Sequence, residues 1–272
     1  MAFLVILGVF IFGAIIGSFL NVVIYRYNSS VSPLTGRSHC FSCGKVLSPL
    51  ELIPIVSFLL SKRRCAGCGV RISWQYFIVE VLTGITFVLI FLLNKPIVET
   101  AFLLAIFSTL IVIAVYDLRH QIIPDGLVAL FAVLGILNFL FAMGFTGLTQ
   151  PPFLWMLAAG PLLFLPFWIL WFVSRGQWLG LGDGKLALGI GWFLGMSLGA
   201  TAIILAFWIG AGLAILMMGL QKVFKHSHYF GGSRLSMQSA IPFGPLLILA
   251  VFIVYFMQVN FFAQAGIFYL SL

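Results

Sequence analysis

From Ala2 to Ile24 the chain carries no charged side chain, and apolar runs of similar length recur along it. A helix of about 20 mostly apolar residues spans the hydrocarbon core of a bilayer. Further runs fall near 75–93, 97–116, 153–173, 199–220 and 241–262. Another follows the polar stretch 117–125 and ends near 143, and a short one covers 186–196. Only 7% of the 272 residues are charged, against about 25% in soluble domains. So few charges cannot cover a water-facing surface. A soluble globular enzyme, a disordered chain and a coiled coil are excluded. The expected fold is all-α, a polytopic membrane bundle of about eight transmembrane helices. No basic residues precede the first run and no small-residue cleavage site follows it, so it reads as a retained helix rather than a signal peptide. The expected domains are a first transmembrane helix (1–24), a polar insert between helices 1 and 2 (25–74) and a transmembrane bundle (75–272).

The charges orient the bundle. With the N-terminus outside, the inner loops hold 13 of the 14 basic residues, and Lys95 alone lies outside. This positive-inside bias accounts for the net charge of +8 as topology. Contact with anionic lipid headgroups follows from it. Nucleic acid is not an expected partner, because the basic residues show no aromatic interleaving and no reading motif. His226 and His228, in a basic loop, read as solvated surface. Five of the six acids fall on the inner side, Glu99 being the exception.

The insert holds all four cysteines, as Cys40-Phe-Ser-Cys43-Gly44 and Cys65-Ala-Gly-Cys68-Gly69. Each CxxC turn presents two sulfurs to one ion, and the glycine after it eases the backbone curl. Two such turns complete a closed tetrahedral site, which suits structural zinc because no ligand position is left open. Two disulfides are the alternative, but they need an oxidising compartment, and the charge bias puts this loop in the cytosol. His39, beside Cys40, reads as a bystander.

Asp117 ends the third run and Asp183 opens the sixth. Carboxylates at membrane helix ends are functional candidates by default. Asp183 sits in Gly180-Leu-Gly182-Asp183-Gly184-Lys185, where little side-chain bulk keeps a substrate backbone away. Two facing aspartates can share a proton, one acting as base on water and the other as acid on a scissile carbonyl. Plainer roles stand beside this one. Asp125 reads first as the N-cap of the fourth helix, Asp117 has Arg119 and Lys185 as possible partners, and Asp183 has a capping role open to it. An ion-coupled transporter is the other class, though it would carry repeat symmetry, and no internal repeat is evident. Asn21 and Glu80 are polar positions in apolar runs. They read either as helix–helix hydrogen bonding or as weak candidates for holding a cofactor or a substrate amine. Glu51 is an exposed loop acid.

Taken together, the motifs resemble the bacterial type IV prepilin peptidases, aspartic membrane proteases of the GxGD class. The segments that carry the resemblance are Gly17 through Arg26, the two CxxC pairs, Tyr76 through Thr83, Asp117 with Ile123-Pro124-Asp125, Gly180 through Lys185, and Ile241 through Pro245. The resemblance implies a multi-pass enzyme of the bacterial inner membrane with its active site at the cytoplasmic face. It implies cleavage of the basic leader of type IV prepilins or type II secretion pseudopilins. N-methylation of the new terminus with S-adenosylmethionine follows. A peptidase without methyltransferase activity is the nearest alternative. The catalytic pair maps onto Asp117 and Asp183, and zinc onto Cys40, Cys43, Cys65 and Cys68. Gly180, Gly182, Gly184, Lys185, Pro242, Gly244 and Pro245 are expected along the substrate path. No glycine-rich dinucleotide-type fingerprint marks where S-adenosylmethionine docks; the resemblance associates methyl transfer with the cytoplasmic four-cysteine insert 25–74, the only sizeable polar module, and peptide cleavage with the bundle 75–272.

Replacing Cys43 by Ser is expected to loosen the insert. Limited proteolysis of 25–74 should accelerate, and unchanged protease sensitivity would overturn the structural role of the cluster.

Overall fold

A computed structural model describes residues 2–29, 32–143, 151–223 and 242–262. His226 and His228 lie outside the described residues, as does Ile241. The chain forms helices α1 (Ala2–Arg26), α2 (Val56–Leu60), α3 (Trp74–Leu92), α4 (Ile97–His120), α5 (Asp125–Met143), α6 (Pro151–Ser174), α7 (Leu181–Val223) and α8 (Gly244–Met257). Among the described residues there is no strand, only two isolated bridges, His39 with Val46 and Arg64 with Arg71. Among the described residues, six helices are long and apolar enough to cross a membrane: α1, α3, α4, α5, α6 and α7. α8 is apolar but shorter. Side chains such as Phe3, Leu4, Ile11 and Phe12 on α1 are exposed, as expected where the surrounding solvent is lipid.

The all-α expectation holds, and so does the short sixth segment. α7 is continuous by hydrogen bonding but breaks at Gly195, whose φ of 75° and ψ of −176° are not helical. That backbone region is open essentially to glycine alone. The runs read near 186–196 and 199–220 are the two arms of this broken helix.

The chain divides into two compact units, Met1–Val115 and Tyr116–Leu272, the division falling inside α4. In the first unit α1 packs on α3. Gly13 and Gly17 are spaced one helical turn apart on α1, the small-xxx-small pattern that lets membrane helices approach closely. A Cβ at Gly13 would lie 2.8 Å from Gly84 Cα, and one at Gly17 would lie 2.8 Å from Glu80 Cα. Asn21, fully buried, donates through Nδ2 to Gly17 O (3.3 Å) and Tyr76 O (3.2 Å). Its geometry matches the helix-to-helix tie weighed for it above.

In the second unit α7 packs on α5, α6 and α8. α6 contains Pro161 and Pro166. A proline inside a helix cannot donate to the carbonyl four residues earlier. For Pro161 that carbonyl is Leu157 O, and the indole Nε1 of Trp192 on α7 donates to it at 3.0 Å. Gly160 makes room, since a Cβ there would lie 2.5 Å from that same nitrogen. The break in one helix is thus repaired by its neighbour, as a membrane interior requires.

Gly17→Ala is expected to lower the thermal unfolding midpoint in detergent, at a cost of about 1–3 kcal/mol for overpacking. Gly8→Ala on the same helix, where a Cβ would meet nothing within 4 Å, should leave it unchanged. Equal midpoints for the two variants would sink the close-packing account.

Candidate functional site

Three segments meet in the second unit. Asp117 lies in the last turn of α4, Asp183 in the first turn of α7, and Gly244 opens α8. Both aspartates are buried, 4% and 9% exposed. They lie close enough for the charge of Asp117 to act on Asp183. Each also accepts a backbone N–H: Asp117 that of Gly244, and Asp183 that of Gly180. Gly244 is required sterically, whereas a Cβ at Gly180 would make only an ordinary contact. A Cβ at Gly244 would stand 2.7 Å from Asp117 Oδ2, and one at Gly180 would stand 3.5 Å from Asp183 Oδ2. Ile123 fills the remaining gap. It lies 3.0 Å from the Cβ positions of both Gly182 and Gly244.

The structure therefore brings together Asp117, Asp183, Gly180, Gly182 and Gly244 of the expected set. Gly184 faces the other way, with its Cβ position 3.0 Å from Phe167. Pro242 and Pro245 bracket the start of α8. Lys185 reaches Asp125, its Nζ 2.7 Å from Oδ1. Of the partners weighed above for Asp117, Lys185 is thus engaged by Asp125 instead. Asp125 stands at the first position of α5, where a negative charge suits the helix dipole. Ile123 was passed over in the sequence. Its signal was the Ile-Pro-Asp motif itself, read for its acid and not for the apolar side chain ahead of it.

The first unit holds a second constellation. The four sulfurs of Cys40, Cys43, Cys65 and Cys68 lie within 4.8 Å of one another. Cys40 to Cys68 and Cys43 to Cys65 are each 3.9 Å apart. Disulfides need about 2.05 Å, so all four thiols are free. Four thiolates at about 2.3 Å from one tetrahedral ion would stand about 3.8 Å apart, and the cluster fits that spacing. The two knuckles are copies of one design. Cys40 and Cys65 donate to Lys45 O and Val70 O, while Gly44 and Gly69 donate back to Cys40 O and Cys65 O. Gly44 and Gly69 both have φ of +72°, which favours glycine at the turn. Backbone N–H groups of Cys68 and Gly67 hold the Cys65 thiol down to about 6, while burial and the neighbouring thiols push that of Cys43 up to about 11, so the thiols by themselves carry charge unevenly. His39 is not in the cluster. Its Nδ1 lies 3.3 Å from Arg37 O.

Beside the knuckles, Lys45 Nζ meets Glu51 Oε1 at 2.7 Å, and Ser48 N donates to Glu51 Oε2 at 2.9 Å. The Lys45 ammonium holds the Glu51 carboxyl down to about 2. What the pair adds to stability is present above the ordinary carboxyl value and is lost as pH falls through about 2. Glu51 is thus a structural acid of the insert.

Glu80 is buried at 6% exposure on α3. Its Oε2 accepts from Ile55 N at 2.7 Å. Ile55 has φ 64° and ψ −54°, and Val56 N donates to Pro54 O at 2.6 Å. This is a γ-turn of the strained hand, braced by a membrane-helix carboxylate.

A helical bundle with membrane-length apolar helices, two buried aspartates at helix ends and a four-cysteine insert defines an integral-membrane protein with a two-carboxylate site. Residues 11–94 match the bacterial peptidase A24 N-terminal domain, and residues 104–215 match the type IV leader peptidase family. A prepilin leader peptidase/N-methyltransferase of Bacillus subtilis (strain 168) is 32% identical over 249 residues, 90% of this chain and 92% of that protein. One of Myxococcus xanthus (strain DK1622) is 35% identical over 213 residues, 77% of this chain and 62% of that longer protein. A type 4 prepilin-like proteins leader peptide-processing enzyme of Escherichia coli O78:H11 is 34% identical over 224 residues, 71% of this chain and 78% of that protein. No solved structure matches. The chain belongs to the type IV leader peptidase family, and it is a multi-pass inner-membrane protein.

Purified protein is expected to carry a single tetrahedral metal ion per chain. Elemental analysis finding none, with all four thiols immediately reactive, would overturn the metal reading.

Proposed function

We propose that this protein cleaves the short basic leader of type IV prepilins or type II secretion pseudopilins, with Asp117 and Asp183 as the cleaving pair. It then N-methylates the new terminus with S-adenosylmethionine. The observation that carries the peptidase reading is the convergence of the two buried carboxylates against bare glycine backbone at Gly180, Gly182 and Gly244. The relatives named above support both activities.

Two carboxylates at close range do not both ionise easily, so they share a proton. The ionised partner takes a proton from water as its oxygen attacks the scissile carbonyl carbon. The protonated partner donates to the carbonyl oxygen. The tetrahedral intermediate then collapses, the C–N bond breaks, and the leaving amine takes up a proton. Bare backbone at Gly182 and Gly244 lets Ile123 and the Asp117 carboxylate pack directly against the starts of α7 and α8. Lys185, tied to Asp125, braces the start of α7 against the start of α5.

Zinc held by Cys40, Cys43, Cys65 and Cys68 is structural in this reading, since four thiolates leave no position for substrate. S-adenosylmethionine, when bound, supplies the methyl group. The charge bias supports an outer N-terminus and a cytoplasmic active site, where a prepilin's charged leader would also lie.

Asp117→Asn and Asp183→Asn should each reduce cleavage of a purified prepilin in detergent by on the order of 1,000-fold or more, within the range for losing an acid or base. Methylation of precleaved pilin should survive both. Gly244→Ala, which crowds Asp117, should cut cleavage as well. Wild-type rates from a folded Asp183→Asn protein would rule out the pair.

A further inference from the structure

A cavity of about 430 Å³ lies within the first unit, between the four-cysteine insert and the adjoining ends of α1 and α3. That is the size of a small-molecule or cofactor site. We propose that this cavity is where S-adenosylmethionine binds and where the methyl group is transferred. The proposal rests on the methyltransferase reading above and gives it a place.

The walls match a ligand that carries adenine and a sulfonium cation. Tyr25 and Tyr76 stack with centroids 5.2 Å apart and planes 11° apart, and Phe41 packs 5.2 Å from Tyr25. All three line the cavity. Aromatic faces attract a cationic centre and accept a stacked base. The rim matches the ligand's other end. Arg64 and Arg71 line the cavity, are exposed, and face each other across the second knuckle through their backbone bridge. Guanidinium groups there suit the methionyl carboxylate, which they can grip through two parallel hydrogen bonds. The metal cluster acquires a use in this arrangement: it sets the knuckle that presents both arginines.

The floor supplies the acid. Two carboxylates line the cavity, Glu51 and Glu80. Glu51 is occupied by Lys45. Glu80 is buried in an otherwise apolar helix, and its Oε2 engages Ile55 N. A carboxylate at that depth is a functional candidate by default, and a strained turn against it is the kind of feature that collects at ligand sites. Glu80 takes a proton from the incoming terminal ammonium. The freed amine nitrogen attacks the methyl carbon, the N–C bond forms and the S–C bond breaks. The electron pair stays on sulfur, giving S-adenosylhomocysteine, and the proton on Glu80 passes to water. The cavity lies where α1 ends at Arg26 and α3 begins at Trp74, the side that the charge bias assigns to the cytoplasm.

The test uses the full chain in detergent. Arg64→Ala with Arg71→Ala should raise the KM for S-adenosylmethionine at least tenfold with kcat little changed. Glu80→Gln keeps an oxygen for Ile55 N and should lower methylation kcat by on the order of 100-fold or more, with S-adenosylhomocysteine affinity within a few-fold of wild type. Glu80→Asp should recover part of the rate. Lys62→Ala, on the same insert but off the cavity, should change neither. Folding is judged by the unfolding midpoint. For any variant that fails to fold, ultraviolet crosslinking of labelled S-adenosylmethionine to the wild-type chain decides the question. Label within 18–80 supports the site and label within 116–262 overturns it. Wild-type kinetics from the folded arginine and Glu80 variants also overturn it. A wild-type chain that neither binds nor uses S-adenosylmethionine defeats the methyltransferase reading itself, a result separate from a misplaced site.

Discussion

Hydrocarbon offers backbone N–H and C=O groups no partner, and most of this structure follows from that constraint. It makes every crossing segment a helix. It also makes each departure from helix informative. Where Pro161 frees Leu157 O, the indole of Trp192 fills the gap, and Gly160 lets the indole in. Where α7 breaks, Gly195 takes a backbone geometry that side chains resist. Helix ends leave backbone groups without intrahelical partners, and side chains can take them up. Asp117 and Asp183 both stand at such ends, each accepting a backbone N–H from a glycine.

Small residues serve the same constraint in a second way. Apolar helices in lipid gain little from burying apolar surface against each other, so they associate by close packing and interhelical hydrogen bonds. Gly13 and Gly17 bring α1 against α3, and Asn21 ties the pair through two carbonyls. This close pair then carries the insert. Its polar segment has little apolar core of its own. It is held by the sulfur cluster, by the Lys45–Glu51 pair and by the hand-off from Ile55 to Glu80. A cavity of cofactor size between such an insert and two closely packed helices is a consequence of bridging polar knuckles to an apolar floor.

Much of this was legible in the residues. The apolar runs predict the helices, because hydrophobic length is a local property. The CxxCG spacing predicts the cluster, because both knuckles are local turns. The short sixth run correctly anticipates the break in α7. Other features were harder to read. Gly13-x-x-x-Gly17 was open to view, but its partner surface at Gly84 and Glu80 belongs to another helix. Ile123 looked like filler before a proline. Glu51 looked idle until Lys45 was seen beside it.

By itself, the sequence determined the membrane class, the all-α fold, the four sulfurs and the two acids worth suspecting. Each of these depends on composition or on spacing within a few turns of chain. Only the tertiary structure decided that Lys185 meets Asp125, that Gly244 presses on Asp117, that Trp192 mends α6, and that Glu80 braces Ile55. Those pairings join residues 25 to 127 positions apart. No periodicity encodes them, because they are set by which helix faces pack together.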